Sequence, residues 1–420
     1  MQHILQNADA KDYNHVKVTN NGTIEFSKRN GTGIAVDYGQ AINNGVIKVD
    51  AANIAPTPGT KGENSIGLFG ASGSKLTNSS TGEVYLGTRG VGIWGTNELK
   101  TSVGTWGKNI DITNAGKIIG LANKDSVFGI YADNDTTSFT TATSNIVHSG
   151  EIDLSQNKES VGIYMKNGDL TSTGNISVNE GSVGIDATNS DLTINGGTYT
   201  IGKESVGFKL TNLPATKKFL GNSGNISITG EDSVAYLLNN SILTSGTNFK
   251  DDLTLNSTKA YTYINTNAST LNYENIKTIA NDDSMFINAG NNSTINLLSG
   301  TNISSTNKAI TGVYSTRSTV KNEGTITLTG DKSSALYAEG STVSNESTGK
   351  ITVAKDGSGI YDKALTTAPV ALGSGTNYGE INIGEASVGI RAEDATIINE
   401  TTGKITSTAK SATGMSQSGG

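Results

Sequence analysis

The chain of 420 residues carries three histidines, His3, His15 and His148, and no cysteine. Without cysteine there are no thiolate metal sites, disulfides or thiol nucleophiles. A Ser-His-Asp triad would have to use His148, which stands in His148-Ser149-Gly150-Glu151, a turn sequence whose first position holds Asn or Ser elsewhere. A turn residue is the expected reading, because no Gly-Asp-Ser-Gly or Gly-x-Ser-x-Gly context supplies a nucleophile. The acid pairs are Asp133/Asp135, Asp251/Asp252 and Asp282/Asp283. A glycosidase or a calcium-dependent polysaccharide lyase needs such carboxylates to converge on one face. All three pairs lie in polar stretches, with no basic residue evident at the matching position of a neighbouring repeat, so they are expected to be solvated loop charges. The Gly-Gly-x-Gly-x-Asp calcium repeat is missing, and phosphate-binding loops have no helix to open. The expectation is no enzyme, no metal and no cofactor.

Aromatic side chains offer recognition in place of catalysis. Phe69, Trp94, Tyr131, Tyr164, Tyr314, Tyr337 and Tyr361 each follow the apolar residue of one recurring motif, although aromatics make up only 6% of the chain. If Val183, Ile185 and Ala187 alternate inward, Asp186 points out, and Lys209 and Arg391 share its register. The aromatics then form two outward stripes, one in each half of the chain. Such stripes bind sugar rings or a partner protein; the alternative is a ladder that covers the sheet and steadies neighbouring strands.

The elements that position these residues come from an internal repeat. Its first part is an Asn/Ser/Thr-rich turn followed by Gly-x-Ile-x-(Ile/Val/Leu), as in Gly174-Asn175-Ile176-Ser177-Val178 and Gly324-Thr325-Ile326-Thr327-Leu328. The second part is Ser-x-Gly-(Ile/Leu/Phe), as in Ser160-Val161-Gly162-Ile163 and Ser387-Val388-Gly389-Ile390. A looser apolar pair, such as Asp191-Leu192-Thr193-Ile194, closes the unit. Gly162, Gly184 and Gly207 lie 22 and 23 residues apart, whereas Gly33 to Gly67 is 34. Period-2 alternation over four or five residues means strands, and three strands per unit is the size of one coil of a parallel β-helix. A string of sandwiches would need hairpin turns and domains of about 100 residues, and neither is seen.

The fold class expected is therefore all-β, a right-handed parallel β-helix of about 15 coils, roughly 70 Å long at about 4.8 Å per coil. The motif glycines are expected at tight corners with positive φ, and Asn322, Asn345, Asn377 and Asn399 in a hydrogen-bonded ladder. Residues 1–237 read as regular coils with insertions near 51–64, 96–114, 133–145 and 211–222, residues 238–311 as degenerate coils, and residues 312–420 as regular coils with an insertion near 362–377. These insertions contain Pro56, Pro58, Pro214 and Pro369, every proline of the chain. In solenoids such loops either supply the binding face or are tolerated surface excursions.

Charge and composition narrow the partners. There are 31 Lys+Arg against 38 Asp+Glu, a net charge of −7, and charged residues are 16% of the chain. A basic nucleic-acid binder and a charge-extended disordered tail are both excluded. No apolar run approaches the roughly 20 residues that span a bilayer, and the opening MQHILQNADAKDYN lacks the pattern of an export signal. No membrane insertion is expected of this segment, and a monomer is the expected state. The lack of an evident cap at either end suggests a piece of a longer solenoid.

The paired motif, seen in Ser160-Val161-Gly162-Ile163-Tyr164, Gly357-Ser358-Gly359-Ile360-Tyr361 and Ser126-Val127-Phe128-Gly129-Ile130-Tyr131-Ala132, resembles the passenger repeats of very large type V autotransporter adhesins, most of all the fusobacterial type. The resemblance covers most of the chain and specifies coil architecture, not a binding site. It implies a β-helical passenger exposed at the bacterial cell surface, beyond the outer membrane. It also implies attachment to a host-cell receptor protein or glycan, or to a partner bacterial surface. The alternatives are a structural stalk that displays a distal tip and, more weakly, a β-helix polysaccharide-degrading enzyme.

Overall fold

The computed structural model describes residues 16–26, 30–49, 65–71, 73–97, 109–134, 143–367 and 370–419. Among them every regular element is a strand, and every strand-to-strand pairing is parallel and in chain order from coil to coil. One sheet runs the whole length. Its 15 strands, from Thr32–Asp37 to Thr413–Ser418, give a β-solenoid of fourteen turns. The other two faces form a 16-stranded sheet in the first half, and a 7-stranded and a 6-stranded sheet in the second. The first-half faces join because Asp191–Ile201 and Phe219–Ile228 run round the corner between them without a break. No coil can satisfy its own backbone, so each pairs with the next.

The interior is one continuous column of Ile, Leu and Val, with side chains such as Ile118, Ile152, Ile176 and Ile326 wholly buried. On the long sheet the alternation is broken once per strand. In Val161–Lys166 the buried positions are Gly162, Ile163 and Met165, while Val161, Tyr164 and Lys166 are half-exposed. Val183 is likewise half-exposed, so the expectation that it points inward is corrected: two consecutive residues, Gly184 and Ile185, turn in. The step skips the glycine in the register from coil to coil.

That arrangement also corrects the role given to the motif glycines. The glycines of Ser-x-Gly have no positive φ, and among those that open Gly-x-Ile only Gly224 does. A Cβ on Gly162 would lie 2.5 Å from the carbonyl oxygen of Gly184 in the next coil and 2.6 Å from the Cγ2 of Ile176. Glycine is there for close approach of two backbones and a core side chain. The left-handed corners belong mostly to other residues, including Asn167, Asn189, Asn212 and Asn240 after the long-sheet strand and Glu159, Glu204 and Asp232 before it. Asn and Asp tolerate that conformation by bonding locally.

Three corners are held by side-chain ladders. Asn322 donates to Asn345 at 2.8 Å, Asn345 to Asn377 at 2.8 Å and Asn377 to Asn399 at 2.7 Å, as the sequence led us to expect. A second such ladder joins Asn20, Asn43, Asn78 and Asn114. The serine of the Ser-x-Gly motif forms another: the backbone N–H of Ser160 donates to Ser182 Oγ, and that of Ser182 to Ser205 Oγ, both at 3.0 Å. At the opposite corner Ser241, Ser269, Ser293, Ser318 and Ser341 repeat the device. Asn345→Ala leaves the Asn322 and Asn377 amides with unmet groups in a buried position. It is expected to cost about 2 kcal/mol, read as a fall in the denaturant midpoint.

Residues 238–311 keep the coil but change its filling. At the glycine position of the long sheet stand Ala235, Tyr263 and Phe286, all buried. These rings meet Tyr236, Phe249 and Tyr273 in one internal aromatic cluster, with centroids 5.3 to 6.3 Å apart. The coil beginning at Ser233–Asn239 has four strands where most have three, adding Ile242–Thr244 before Phe249–Asp251 and Thr254–Ser257. The extra strand starts the 7-stranded sheet, while Phe249–Asp251 and Thr254–Ser257 end the older faces.

Candidate interaction stripe

Parallel in-register stacking makes a column of any motif position. The position after the buried aliphatic reads, from coil to coil, Ala35, Phe69, Trp94, Tyr131, Tyr164, Asp186, Lys209, Leu237, Asn265, Asn288, Tyr314, Tyr337, Tyr361, Arg391 and Ser416. The structure thus brings Phe69, Trp94, Tyr131 and Tyr164 together in one run, and Tyr314, Tyr337 and Tyr361 in another. All seven are half-buried, on the outer face of the long sheet.

Ring geometry decides what this column presents. Phe69 meets Trp94 edge-on at 5.7 Å and Trp94 meets Tyr131 at 5.6 Å. Tyr131 and Tyr164 are stacked at 4.7 Å, as are Tyr337 and Tyr361, and Tyr314 meets Tyr337 at 5.2 Å. A spacing of 4.7 Å is that of the backbone ladder itself, so the stacked rings lie face on face along the rod. Their edges and hydroxyls look outward. Arg391 covers the free face of Tyr361 at 4.8 Å, a cation–π contact. Tyr314 and Tyr337 donate to the two carboxylate oxygens of Glu339 at 3.0 and 3.1 Å. Burial, with Glu393 adding its charge, pushes the Tyr361 hydroxyl up to about 12. Burial likewise raises Tyr164, with Asp133 and Asp186 contributing. Between the two runs, Asp186 and Lys209 form an ion pair at 2.9 Å in which Asp186 is nearly buried.

The acid pairs behave differently from one another. Asp135 lies outside the described residues, as do His3 and His15. Asp282 and Asp283 are exposed, and Asp282 accepts the backbone N–H of Lys308. Asp252 sits beside Lys250 at 2.9 Å on the surface. The expectation that these acids lack basic partners in adjacent coils is corrected, because Asp133 pairs in register with Lys166, 3.6 Å away. Asp251 is the larger correction. It is 3% exposed, not a solvated loop charge. Tyr236, Tyr263 and Tyr273 donate to its carboxylate, and Lys277 Nζ stands 3.3 Å from Oδ2. Loop-like composition hid it: the flanking Lys250 and Asp252 are exposed, while the inward position between them carries the acid.

His148 occupies the ladder position of Asn114 and Ser172, as its sequence context implied, and is wholly buried. Its Nδ1 faces the Asn114 side chain and its Nε2 the carbonyl of Asn175, both at 3.2 Å. Burial lowers its pKa to about 4. A neutral imidazole with both nitrogens engaged in a corner has no role as a base. Among the described residues no cluster of three or more acids or histidines could hold a metal ion, and no helix is long and apolar enough to cross a membrane.

Of the insertions, residues 50–64, 98–108 and 135–142 lie outside the described residues, and so do Pro56, Pro58 and Pro369. The 211–222 insertion stays on the rod: its Pro214 helps line a shallow groove with Asn189, Asn212, Asn240 and Ile242. The 362–377 insertion is tied to the rod by Arg317, whose guanidinium donates to the Thr367 carbonyl at 3.1 Å. It also exposes Val370 and Leu372.

No family model matches the sequence, and no curated protein matches it. Among solved structures the chain is similar to a hyper-glycosylated fragment of TibA produced by TibC catalysis. The likeness covers 90% of this chain and 99% of that one at 13% identity, with a TM-score of 0.24. At that level the likeness decides nothing about what the rod does.

Proposed function

We propose that this chain is a surface-exposed passenger segment of the autotransporter-adhesin type, and that it binds a host-cell or bacterial surface partner through the outer face of its long sheet. The observation that carries the reading is the pair of aromatic runs, Phe69 to Tyr164 and Tyr314 to Tyr361, held in register on one uninterrupted face. Half-exposed aromatics in a fixed line supply contact area at low entropic cost. Their stacked faces are unavailable to a sugar ring, while their edges, hydroxyls and the carboxylates of Glu339 and Glu393 remain at the rim. That chemistry suits a protein surface with basic or amide groups better than a glycan. The motif resemblance to fusobacterial passenger repeats supports a site beyond the outer membrane. The stalk reading is favoured by the same stacking, because a ladder that covers its own faces also serves a rod that only displays something else.

Purified, labelled chain applied to epithelial cells, lymphocytes and a panel of oral bacteria separates the two. Saturable staining, competed by a protein fraction, free amino acids or sugars, is the expected result. The double variant Tyr131→Ser, Tyr164→Ser should reduce it at least about tenfold, the loss of a little over 1.4 kcal/mol. Unchanged staining together with lower thermal stability would mean that the rings serve the rod alone. No staining by a folded chain would leave the stalk reading in place.

A further inference from the structure

At the four-stranded coil the second and third faces lose their ladder. Phe249–Asp251 and Thr254–Ser257 pair backwards with Phe219–Ile228, and Ile276–Thr278 pairs forwards with Asn302–Ser305. No backbone pairing joins Thr254–Ser257 to Ile276–Thr278. Side chains bridge this seam instead. Asn275 donates to the carbonyl of Asp251 at 2.6 Å, Lys277 donates to the carbonyl of Leu253 at 3.1 Å, and Lys277 Nζ reaches Asp251 Oδ2 at 3.3 Å.

We propose that Lys277 and Asp251 close an intramolecular amide bond across this seam, a covalent staple formed by the folded chain itself. The amine and the carboxyl are already in contact, which replaces a bimolecular encounter by a positioned one and supplies most of what amide formation lacks in water. The site is closed. The Asp251 side chain is 1% exposed and that of Lys277 15%, and the Lys277 ammonium lies 5.4 Å from the centre of the Tyr263 ring. An ion pair withdrawn from water in this way is costly, and the reaction starts when one proton passes from the ammonium to the carboxylate, giving amine and acid. Burial raises the Asp251 pKa in that direction.

The chemistry balances without a co-reactant. The Lys277 Nζ lone pair attacks Asp251 Cγ, and the carbonyl oxygen takes up the electron pair. Tyr236 donates to Oδ1 at 2.9 Å, while Tyr263 and Tyr273 donate to Oδ2, so phenolic hydroxyls stand ready to stabilise the developing oxyanion. Collapse expels the other carboxyl oxygen, which leaves as water with one proton from the acid and one from the nitrogen. Nothing is oxidised or reduced. The product ties the end of the first-half faces to the start of the second-half ones, at the coil where the long sheet is the one sheet that runs through from both sides. The staple does not depend on what the rod binds.

Intact-mass spectrometry of the purified, folded chain tests the proposal. The expected mass is one water below that of the sequence, and proteolysis should release one branched peptide joining the Asp251 and Lys277 segments. Lys277→Arg keeps the charge but removes the attacking amine, and should show its full sequence mass and two separate peptides. A folded wild-type chain at full mass overturns the proposal. So does a water loss that persists in Lys277→Arg or maps elsewhere, as a cyclised aspartyl or asparaginyl residue would. If Lys277→Arg does not fold, the wild-type mass and peptide map decide alone.

Discussion

Replacing Asp362 by alanine is expected to stabilise the chain by about 2 to 3 kcal/mol at pH 8, and by close to nothing at pH 4. Asp362 follows the outward Tyr361 and points inward, in register with Ala338 and Ala392. It is wholly buried, and neither carboxylate oxygen has a hydrogen bond of good geometry, the backbone N–H of Lys363 offsetting burial only in part. Gly373 and Gly375 pack against it, and a Cβ on Gly373 would collide with the carboxylate. Burial therefore raises its pKa from 3.8 to about 7. The sign follows from which state holds the proton more tightly. The folded state does, so stability is greatest below the unfolded value near 3.8, falls as pH rises, and levels off above about 7. Alanine removes the titrating group and leaves only a small void, which costs less than the charge did. Denaturant midpoints of both chains between pH 4 and 8 measure the effect. A wild-type chain whose stability does not fall over that window, or a variant that gains nothing at pH 8, would show that the acid has found a partner.

The second large effect runs the other way. His148 is neutral in the folded chain, with its pKa lowered from 6.5 to about 4 by burial. The unfolded chain takes up the proton more readily. The stability that the neutral ring provides is complete above pH 6.5 and is lost as pH falls towards 4, by up to about 3 kcal/mol. His148→Asn should abolish that acid sensitivity, because Asn43, Asn78 and Asn114 fill the same position in the preceding coils. At pH 7.5 the variant should lie within about 1 kcal/mol of wild type, the smaller side chain trading packing for a continued amide ladder. Melting temperatures of the two chains should therefore diverge only on the acid side. Parallel curves from pH 7.5 to 4.5 would mean that the imidazole is hydrated in the folded rod. Asp362 and His148 thus place opposite pH sensitivities in different halves of one solenoid, and in a structure whose coils contact only their neighbours these are expected to be nearly independent.

Much of this architecture was legible because the repeat is parallel and in register. Once Ser-x-Gly-Ile and Gly-x-Ile-x-Ile are aligned, whatever stands at one place in the motif stacks on its counterpart in the next coil. That is why the aromatic column, the Asn322 to Asn399 ladder and the structural role of His148 could be read from spacing. The buried serine ladder was equally available, since Ser160, Ser182 and Ser205 recur at one motif position. Asp362 gave a signal too: it is the one acid in a column that includes Ala132, Met165, Ala187, Ala338 and Ala392, and whose polar members, such as Thr266 and Ser315, are uncharged.

By itself the amino-acid sequence determined the strand period, the coil and the membership of each column, because these depend on short-range alternation repeated along the chain. The tertiary structure alone decided depth and seams. Whether Asp251 lies in water or in the core depends on the added strand Ile242–Thr244 and on which strand the following coil pairs with, and no local pattern encodes that choice. Likewise the motif glycines look like corner residues in one dimension. Only the stacked coils reveal that the carbonyl oxygen of a neighbouring turn, 22 or more residues away, occupies the space where a side chain would be.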